Sequence, residues 1–551
     1  MSEPSAPHLD SGPAAVPAAT PATSAAATPA AAVAAAPDVA VRGLPPIATT
    51  AVALIAVFTL AAHLVVSLVT PYELHRDEFL YLAMGRHLQL WRMDFPPGIA
   101  LLAEAVRALL GDTLFAVRLV PAVAGAALVA LAALLARELG GGRAAQALAA
   151  VSVVCNILFL RAASLFQPVV LDQVWWALTF LALARVARTG ERRWWILLGV
   201  AGGLGLLTKW SILFVGFGVL VALVLTPLRR WLLTPWPYVT LGIALLLGLP
   251  SITGQIALDW PIRLQMGGLQ EAQLGRVGLG EYAGWQVLFS PPGFVLALAG
   301  LVGLLAARAL RPYRAIGVAC AAVWVLLLVL HGKPYYAGPI FPPLLAAGAV
   351  LLERVRGPWL RPTLGWIAGA ALVAWAAIGL PLGLPVLPPA RMAAYSARLG
   401  ITPAVTTNRG TVLQLPQDYA DMLGWEAQVR AVARVFDSLP PEERRDAVIL
   451  AANYGRAGAI DWYGPRLGLP GAVCPCGTYW QFGPGVMPGR VAVAVGISDR
   501  FLRELFDTVT PAATVREPWG VEEEQEVVIS VAKGPRRTLQ ALWPTISPNY
   551  R

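Results

Sequence analysis

The densest mixture of acids, bases and aromatic residues in the first half of the chain lies in residues 71–97, PYELHRDEFLYLAMGRHLQLWRMDFPP. Asp77 and Glu78 form an adjacent acid pair at its centre. Three basic residues flank the pair, namely His75, Arg76 and Arg86. Neighbouring positive charge would keep a carboxylate ionised, and an ionised carboxylate can act as a general base. The alternative is that the two acids only solvate a surface loop.

Further ionisable residues stand at the ends of apolar runs. Asp172 lies in QPVVLDQVWWAL, where an acid at a membrane edge is costly unless it has a partner. Lys209 ends GLLTKW and Lys333 lies in HGKPYY, and such cations suit a phosphate at headgroup depth. Three polar or aromatic residues accompany Lys333, namely His331, Tyr335 and Tyr336. The alternative to a functional role is that Asp172 only stabilises a helix N-terminus and that the two lysines only extend their charged ends to the membrane surface.

Acids beside a cationic pocket at lipid depth favour one class of reaction. A carboxylate can take the proton of an acceptor hydroxyl while that oxygen attacks a sugar C1 and a lipid phosphate leaves towards the lysines. Direct displacement would invert the anomeric centre. This chemistry requires no metal site and no cofactor, although participation of a divalent metal ion stays open.

The composition indicates the elements that carry these residues. The chain has 551 residues, of which 57% are hydrophobic and only 13% are charged, against about 25% charged in soluble proteins. We therefore predict a mainly α-helical, polytopic membrane protein. The formal net charge of +10 is spread among short loops, which makes it a signal of topology and does not indicate a nucleic-acid partner.

Apolar runs long enough to cross a bilayer recur along the chain and predict about eleven transmembrane helices. They lie at about 47–70, 114–136, 144–162, 168–187, 194–209, 210–228, 237–256, 290–308, 315–331, 335–353 and 363–380. An external loop, 71–112, follows the first span. Its segment 98–111 is short and carries charges, so we expect an interfacial helix there.

The arginines predict the orientation. Every basic cluster falls in alternate turns, and the acids and lysines named above fall in the opposite turns. By the positive-inside rule the basic turns are cytoplasmic. Residues 1–43, rich in Ala and Pro, are predicted to be a disordered cytoplasmic tail. The Arg-rich, Lys-poor composition suggests a bacterial protein, so we expect a multi-pass protein of the bacterial cytoplasmic membrane with its active site facing the periplasm.

The hydropathy falls from about residue 381, which predicts a transmembrane catalytic region over 44–380 and an extracytoplasmic α/β domain over 381–551. Helices are expected at 423–439, 457–463 and 499–506, and strands at 446–452, 490–496 and 525–531. Cys474 and Cys476 form a Cys-Pro-Cys that is either two free thiols or an oxidised pair. Cys155 and Cys320 lie in apolar runs and are expected to be inert core residues.

The order of these motifs resembles a known family. An Asp-Glu in the first external loop is followed by an Asp at a span end, a Leu-Thr-Lys span end and Lys-x-Tyr-Tyr-x-x-Pro-x-x-Pro. Over about 45–355 this resembles the GT-C glycosyltransferases, in the branch of protein mannosyltransferases and lipid A aminoarabinose transferases. PQDYADMLGW at 416–425 and NYGRAGAIDWYGPRLGLP at 453–470 also resemble the C-terminal domain of bacterial members.

The resemblance implies an inverting transfer from a polyprenyl-phosphate-linked sugar to a glycan, lipid or protein on the outer face of the membrane. It implies Asp77 as the base or acceptor-orienting acid, with Glu78 and Asp172 as second acids near the sugar. Four cations are assigned to the donor phosphate: Lys209, Lys333, Arg76 and Arg86. Five residues are assigned to substrate binding: His75, Tyr81, His331, Tyr335 and Tyr336. Candidates for acceptor contact in the C-terminal domain are Asn453, Tyr454 and Asp461.

The sequence departs from the aminoarabinose transferases at Phe95, which stands before Pro96-Pro97 where those enzymes carry a lysine. An aminoarabinose donor is therefore not predicted. The alternative function is a transporter or flippase of lipid-linked sugars, which would place ionisable groups near the bilayer midplane. A glycan-binding scaffold is a third alternative, but it would leave the Asp77 loop without a role.

Overall fold

The computed structural model describes residues 43–546, so the predicted tail over 1–43 lies outside the described residues except for Gly43. The first part of this range is helical. Its helices are α1 (Thr49–Val69), α2 (Arg76–Arg86), α3 (Gly98–Leu110), α4 (Leu114–Glu138), α5 (Arg143–Val154), α6 (Ile157–Ala162), α7 (Pro168–Thr189), α8 (Arg193–Thr208), α9 (Ile212–Leu225), α10 (Trp236–Ala257), α11 (Ile262–Ala272), α12 (Leu279–Leu288), α13 (Pro291–Ala306), α14 (Arg314–Val329), α15 (Phe341–Glu353) and α16 (Leu360–Gly383). Short 3-10 helices lie at Pro227–Leu233, Leu274–Arg276, Arg308–Tyr313 and Pro334–Ile340.

The helices confirm a multi-pass membrane protein. Between residues 43 and 546, seven helical stretches are long and apolar enough to cross a membrane, or up to nine if each of two bent helix pairs is one span. The predicted count of eleven is not confirmed. The run 144–162 is divided into α5 and α6, because Asn156 leaves the helix and its side chain accepts a hydrogen bond from the Leu158 amide.

The loop 71–112, which is predicted to be external, folds as two packed helices, α2 and α3. Gly85 permits their close approach, since a Cβ at this position would lie 2.9 Å from the Cβ of Ala103. The predicted helix at 98–111 is present as α3, and Leu101, Leu109 and Leu110 are exposed on it. An exposed apolar face suits the interfacial position that we expect for this helix.

The C-terminal part is the α/β region that the hydropathy predicts. Its helices are α17 (Pro389–Leu399), α18 (Thr402–Val405), α19 (Gln417–Ala420), α20 (Trp425–Asp437), α21 (Pro441–Arg445), α22 (Tyr454–Tyr463), α23 (Gly477–Phe482), α24 (Asp499–Leu505) and α25 (Leu539–Leu542). Its strands are β1 (Ala447–Ala451), β2 (Ala472–Val473), β3 (Val491–Val495), β4 (Phe506–Arg516) and β5 (Glu526–Pro535). Further 3-10 helices lie at Gly464–Leu467, Glu522–Glu524 and Trp543–Thr545.

The strands form one mixed sheet in the order β2-β1-β3-β5-β4. β1 pairs in parallel with β2 and β3, whereas β5 pairs antiparallel with β3 and β4. Every residue of β1 (AVILA) and β3 (VAVAV) is buried, as expected for strands covered on both faces. The sequence analysis missed β4, which contains Pro511 and a register shift there; an edge strand tolerates both features.

The cysteines take two forms. Cys474 and Cys476 are joined by a disulfide, so of the two predicted alternatives the structure has the oxidised pair. Cys155 and Cys320 are buried free thiols, as predicted.

The C-terminal region packs directly on α2. Phe79 makes edge-to-face contacts with Trp425 at 5.8 Å and with Tyr463 at 6.0 Å between ring centroids. Gly458 faces the same side chain, and a Cβ there would lie 2.5 Å from the Cβ of Phe79. The main chain of Arg76 also donates to the carbonyl of Asp421 at 3.2 Å. The helix that carries the acid pair is therefore packed against the C-terminal region.

Candidate active site

The first turn of α2 separates the two adjacent acids. His75 is the N-cap, and its Nδ1 accepts a hydrogen bond from the amide of Asp77 at 3.1 Å. The carboxylate of Glu78 accepts from the amide of His75 at 2.8 Å, which completes a capping box. Acids in the first turn also suit the positive end of the helix dipole. The cap turns Glu78 inward, so only Asp77 of the pair stays partly exposed.

Asp77 is held at both carboxylate oxygens. Oδ1 accepts a hydrogen bond from the Tyr454 hydroxyl at 2.9 Å, and Oδ2 accepts from Nε2 of Gln167 at 3.2 Å. The side chain remains 32% exposed. A carboxylate that is oriented by two neutral donors and is still accessible has the form of a general base.

Glu78, predicted as a second catalytic acid, is buried and held by protein groups. The residue is fully buried, and its carboxylate pairs with Arg118 at 3.0 Å and accepts from the amide of Phe166 at 2.8 Å. Burial alone would raise the pKa of Glu78, but the Arg118 guanidinium outweighs burial and lowers it. No surface of this carboxylate is left for a substrate.

Arg76 and Arg86, predicted as cations for the donor phosphate, are both paired with protein groups. Nε of Arg76 lies 3.1 Å from Oδ1 of Asp421, and its Nη2 pairs with Glu523. Arg86 is at the far end of α2, where it donates to the carbonyl of Asp461 at 2.6 Å and to Asp112 at 3.1 Å. Both arginines dock α2 on its neighbours.

The two predicted lysines meet at the 3-10 helix Pro334–Ile340. Nζ of Lys209 lies 5.4 Å from the ring centroid of Tyr335 and 5.2 Å from that of Tyr336. Nζ of Lys333 lies 6.0 Å from the Tyr335 ring. Neither lysine has a salt bridge to an acid of the described chain, so both charges can serve an anion. Burial lowers the pKa of Lys333 to about 8, although the nearby Asp77 charge opposes this.

Asp172 lies in the second turn of α7, at a small pocket that it shares with Lys209, Tyr335 and Tyr336. Its oxygens accept from Nε1 of Trp176 at 3.1 Å and from the Ser211 hydroxyl at 2.7 Å. The structure therefore brings the predicted acid, lysine and tyrosines to one place.

Of the predicted substrate-binding residues Tyr81 and His331, only Tyr81 lies near Asp77. Tyr81 is buried on α2, one turn from Asp77, and the Asp77 charge together with burial raises its pKa. His331 is exposed, and its Nδ1 is 3.1 Å from the carbonyl of Val277. The structure thus places Tyr81 beside the site and shows His331 bound to another loop.

Of the three candidates in the C-terminal region, two bind groups away from Asp77 and one contacts it. Asn453 caps α22 through a bond from the Arg456 amide at 2.9 Å, and Asp461 accepts from the Ala472 amide and the Tyr479 hydroxyl. These two are structural, whereas Tyr454 reaches Asp77.

Sequence reasoning missed several residues around the site. Asp418 pairs with Arg161 at 2.8 Å, yet its side chain is 46% exposed. Nε2 of the buried His75 lies 3.8 Å from Asp418 and 3.8 Å from Asp421, so His75 links α2 to these acids. Burial raises the pKa of Asp421 despite its pairing with Arg76. The acids of the 416–425 motif were the sequence signal that could have identified these residues.

Across residues 43–546, no three His, Cys, Asp or Glu side chains are arranged to hold a metal ion.

Comparison with known proteins agrees with this architecture. Residues 94–253 match the family model of dolichyl-phosphate-mannose-protein mannosyltransferases. The structure resembles ArnT from Cupriavidus metallidurans bound to undecaprenyl phosphate, with a TM-score of 0.58 and 15% identity over 86% of this chain and 97% of that chain. The apo state of ArnT gives a TM-score of 0.55 and 16% identity over the same shares. No curated protein sequence matches the chain.

At these identities the ArnT structures establish a shared fold, and the mannosyltransferase match covers the span and loop segments that follow α2. The predicted GT-C architecture is thereby confirmed. The chain is therefore similar to the dolichyl-phosphate-mannose-protein mannosyltransferases over residues 94–253 and shares the fold of ArnT.

Proposed function

We propose that the protein is an inverting glycosyltransferase that moves a sugar from a polyprenyl-phosphate donor to an acceptor on the outer face of the bacterial cytoplasmic membrane. The observation that carries the proposal is the placement of an accessible, doubly oriented carboxylate, Asp77, next to Lys333 and in the same cluster as Lys209. The undecaprenyl phosphate bound to ArnT supports a polyprenyl lipid as the carrier.

We assign one role to each group. The Asp77 carboxylate takes the proton of an acceptor hydroxyl while that oxygen forms a bond to the anomeric carbon of the sugar. The bond from that carbon to the phosphate oxygen breaks, and its electron pair stays on the phosphate. The ammonium groups of Lys209 and Lys333 neutralise the charge that develops there. A single displacement of this kind inverts the anomeric configuration.

We further propose that residues 381–551 form an extracytoplasmic domain that completes the site and contacts the acceptor. Tyr454 supports this, because it reaches from α22 to the base. The half-exposed Asp418 also borders the site, since it lies 3.8 Å from His75. A transporter would instead hold its ionisable groups near the middle of the bundle. Here the proposed base lies in the first turn of a loop helix.

The test is sugar transfer by the full-length protein in nanodiscs. Radiolabelled polyprenyl-phosphate hexoses and pentoses serve as donors and a membrane extract serves as acceptor. Asp77→Asn should lower kcat by about a hundredfold or more, as expected for loss of a general base. Asp112→Asn is the matched control, because the carboxylate of this partly exposed acid of the same loop accepts from Arg86 at 3.1 Å. Full activity of Asp77→Asn would remove the assigned base, and no transfer from any donor by the wild type would reject the proposed function.

A further inference from the structure

The pocket beside Lys209 is lined by a polar side chain that has no hydrogen-bond partner among the described residues. Gln173, next to Asp172 on α7, is fully buried, and its amide lines this pocket. Within residues 43–546 neither Oε1 nor Nε2 of Gln173 has a hydrogen-bond partner. Leaving a buried amide unpaired costs about 1–3 kcal/mol for each group, so a glutamine here needs a compensating role.

The neighbouring acid, Asp172, differs from Gln173 because its side chain has hydrogen-bond partners. Both oxygens of Asp172 are used, one by Trp176 and the other by Ser211. The amide of Gln173 is thus the free hydrogen-bonding group that the described part of α7 presents to the pocket, while Lys209 supplies its cation.

The two atoms of the amide restrict the chemistry of a ligand. Nε2 is a donor and Oε1 is an acceptor, so a group that satisfies both must itself accept and donate. The oxygens of an ionised phosphodiester only accept, and a polyprenyl chain does neither. A sugar hydroxyl does both. The free space in this pocket is about that of one water-sized group, which fits a hydroxyl and not an entire ring.

We propose that Gln173 binds one hydroxyl of the donor sugar, with Lys209 on the phosphate side, and that this contact contributes to the choice of sugar. This inference rests on the proposed function, since it needs a lipid-linked sugar as ligand. Gln173 is then a residue that determines specificity, and it takes no part in the transfer of the proton.

The experiment measures binding, which does not require turnover. The affinity of full-length protein in nanodiscs is compared for undecaprenyl phosphate and for undecaprenyl-phosphate mannose, glucose and arabinose. The gain in affinity caused by the sugar is determined for the wild type and for Gln173→Met, which keeps the length of the side chain without its hydrogen bonds. Lys209→Met is the matched control for the phosphate.

We expect the preferred sugar to bind about tenfold more tightly than the bare lipid phosphate in the wild type, as two hydrogen bonds allow. Gln173→Met should lose this gain and bind undecaprenyl phosphate normally. Lys209→Met should weaken all the lipids by the same factor. Because no described protein group bonds to the amide, Gln173→Met should keep the melting temperature of the wild type.

Three results would overturn the inference. They are a sugar-dependent gain that Gln173→Met retains, no such gain for any sugar in the wild type, and a large fall in melting temperature that marks Gln173 as structural. Sugar transfer by the wild type combined with any of these results rejects the role of Gln173 alone. Absence of transfer from every donor rejects the proposed function, whatever the binding shows.

Discussion

Tyr454→Phe tests whether the C-terminal region takes part in the chemistry, because it removes one oxygen atom and keeps the ring. The lost bond is the one from the Tyr454 hydroxyl to Oδ1 of Asp77, which is 2.9 Å long and partly buried. A hydrogen bond to a charged group contributes about 1.5–3 kcal/mol. If the bond were lost entirely from the transition state, kcat would fall by about tenfold to about a hundredfold.

The structure favours the lower end of that range. Gln167 continues to hold Oδ2 of Asp77 at 3.2 Å. Water can also reach the freed oxygen, since the side chain is partly exposed. We therefore expect kcat of Tyr454→Phe to fall about tenfold, with little change in the KM for the donor, because the bond orients a group that acts in the transition state.

Tyr463→Phe is the matched control in the same transfer assay. Tyr463 also lies on α22, and its hydroxyl donates to Glu73 across the same interface at 3.1 Å. Its loss should weaken docking of the domain to a similar extent but leave the orientation of Asp77 intact. Equal losses of kcat in the two variants would show a general effect of the interface. Normal kcat in Tyr454→Phe would show that the hydroxyl does not position the base.

Two further predictions concern residues around the base. Glu78→Gln leaves the Arg118 guanidinium buried without its counter-charge, so the free energy of unfolding should fall by about 3–5 kcal/mol, measured by thermal unfolding in detergent. A normal melting temperature with abolished transfer would instead return Glu78 to the chemistry. The pKa of Lys333, lowered to about 8, predicts that kcat/KM for the donor falls as pH rises above about 8, where the ammonium loses its proton. Lys333→Arg should move this alkaline limb to higher pH because a guanidinium stays charged, and an unmoved limb would assign the titration to another group.

Much of the architecture could be predicted because it depends on local pattern. The apolar runs predicted a multi-pass protein, and the ends of those runs gave Asp172, Lys209 and Lys333 as groups at one face. Strands β1 and β3 were predictable from uninterrupted buried runs of Ala, Val, Ile and Leu. The run at 144–162 was harder, since the break at Asn156 depends on one side-chain cap that hydropathy does not register.

The roles of the adjacent acids could not be predicted in the same way. Consecutive residues of a helix point about 100° apart, and in this pair one side chain enters the core while the other stays partly exposed. Which one does so depends on Arg118, 40 residues away, and on Tyr454, 377 residues away. Sequence spacing alone carries no information on such partners, so it could not show that Glu78 is buried while Asp77 stays partly exposed.

These long-range contacts also affect how the membrane region and the C-terminal region should be assigned to functional units. The proposed base, Asp77, is oriented by Gln167 from the membrane region and by Tyr454 from the C-terminal region. The helix that carries the base is capped by His75, whose other nitrogen faces Asp418 and Asp421. A C-terminal domain that only recruited an acceptor would need none of these contacts. Since the contacts converge on one carboxylate, we propose that the C-terminal region is part of the catalytic unit and that its docking is a condition for an oriented base.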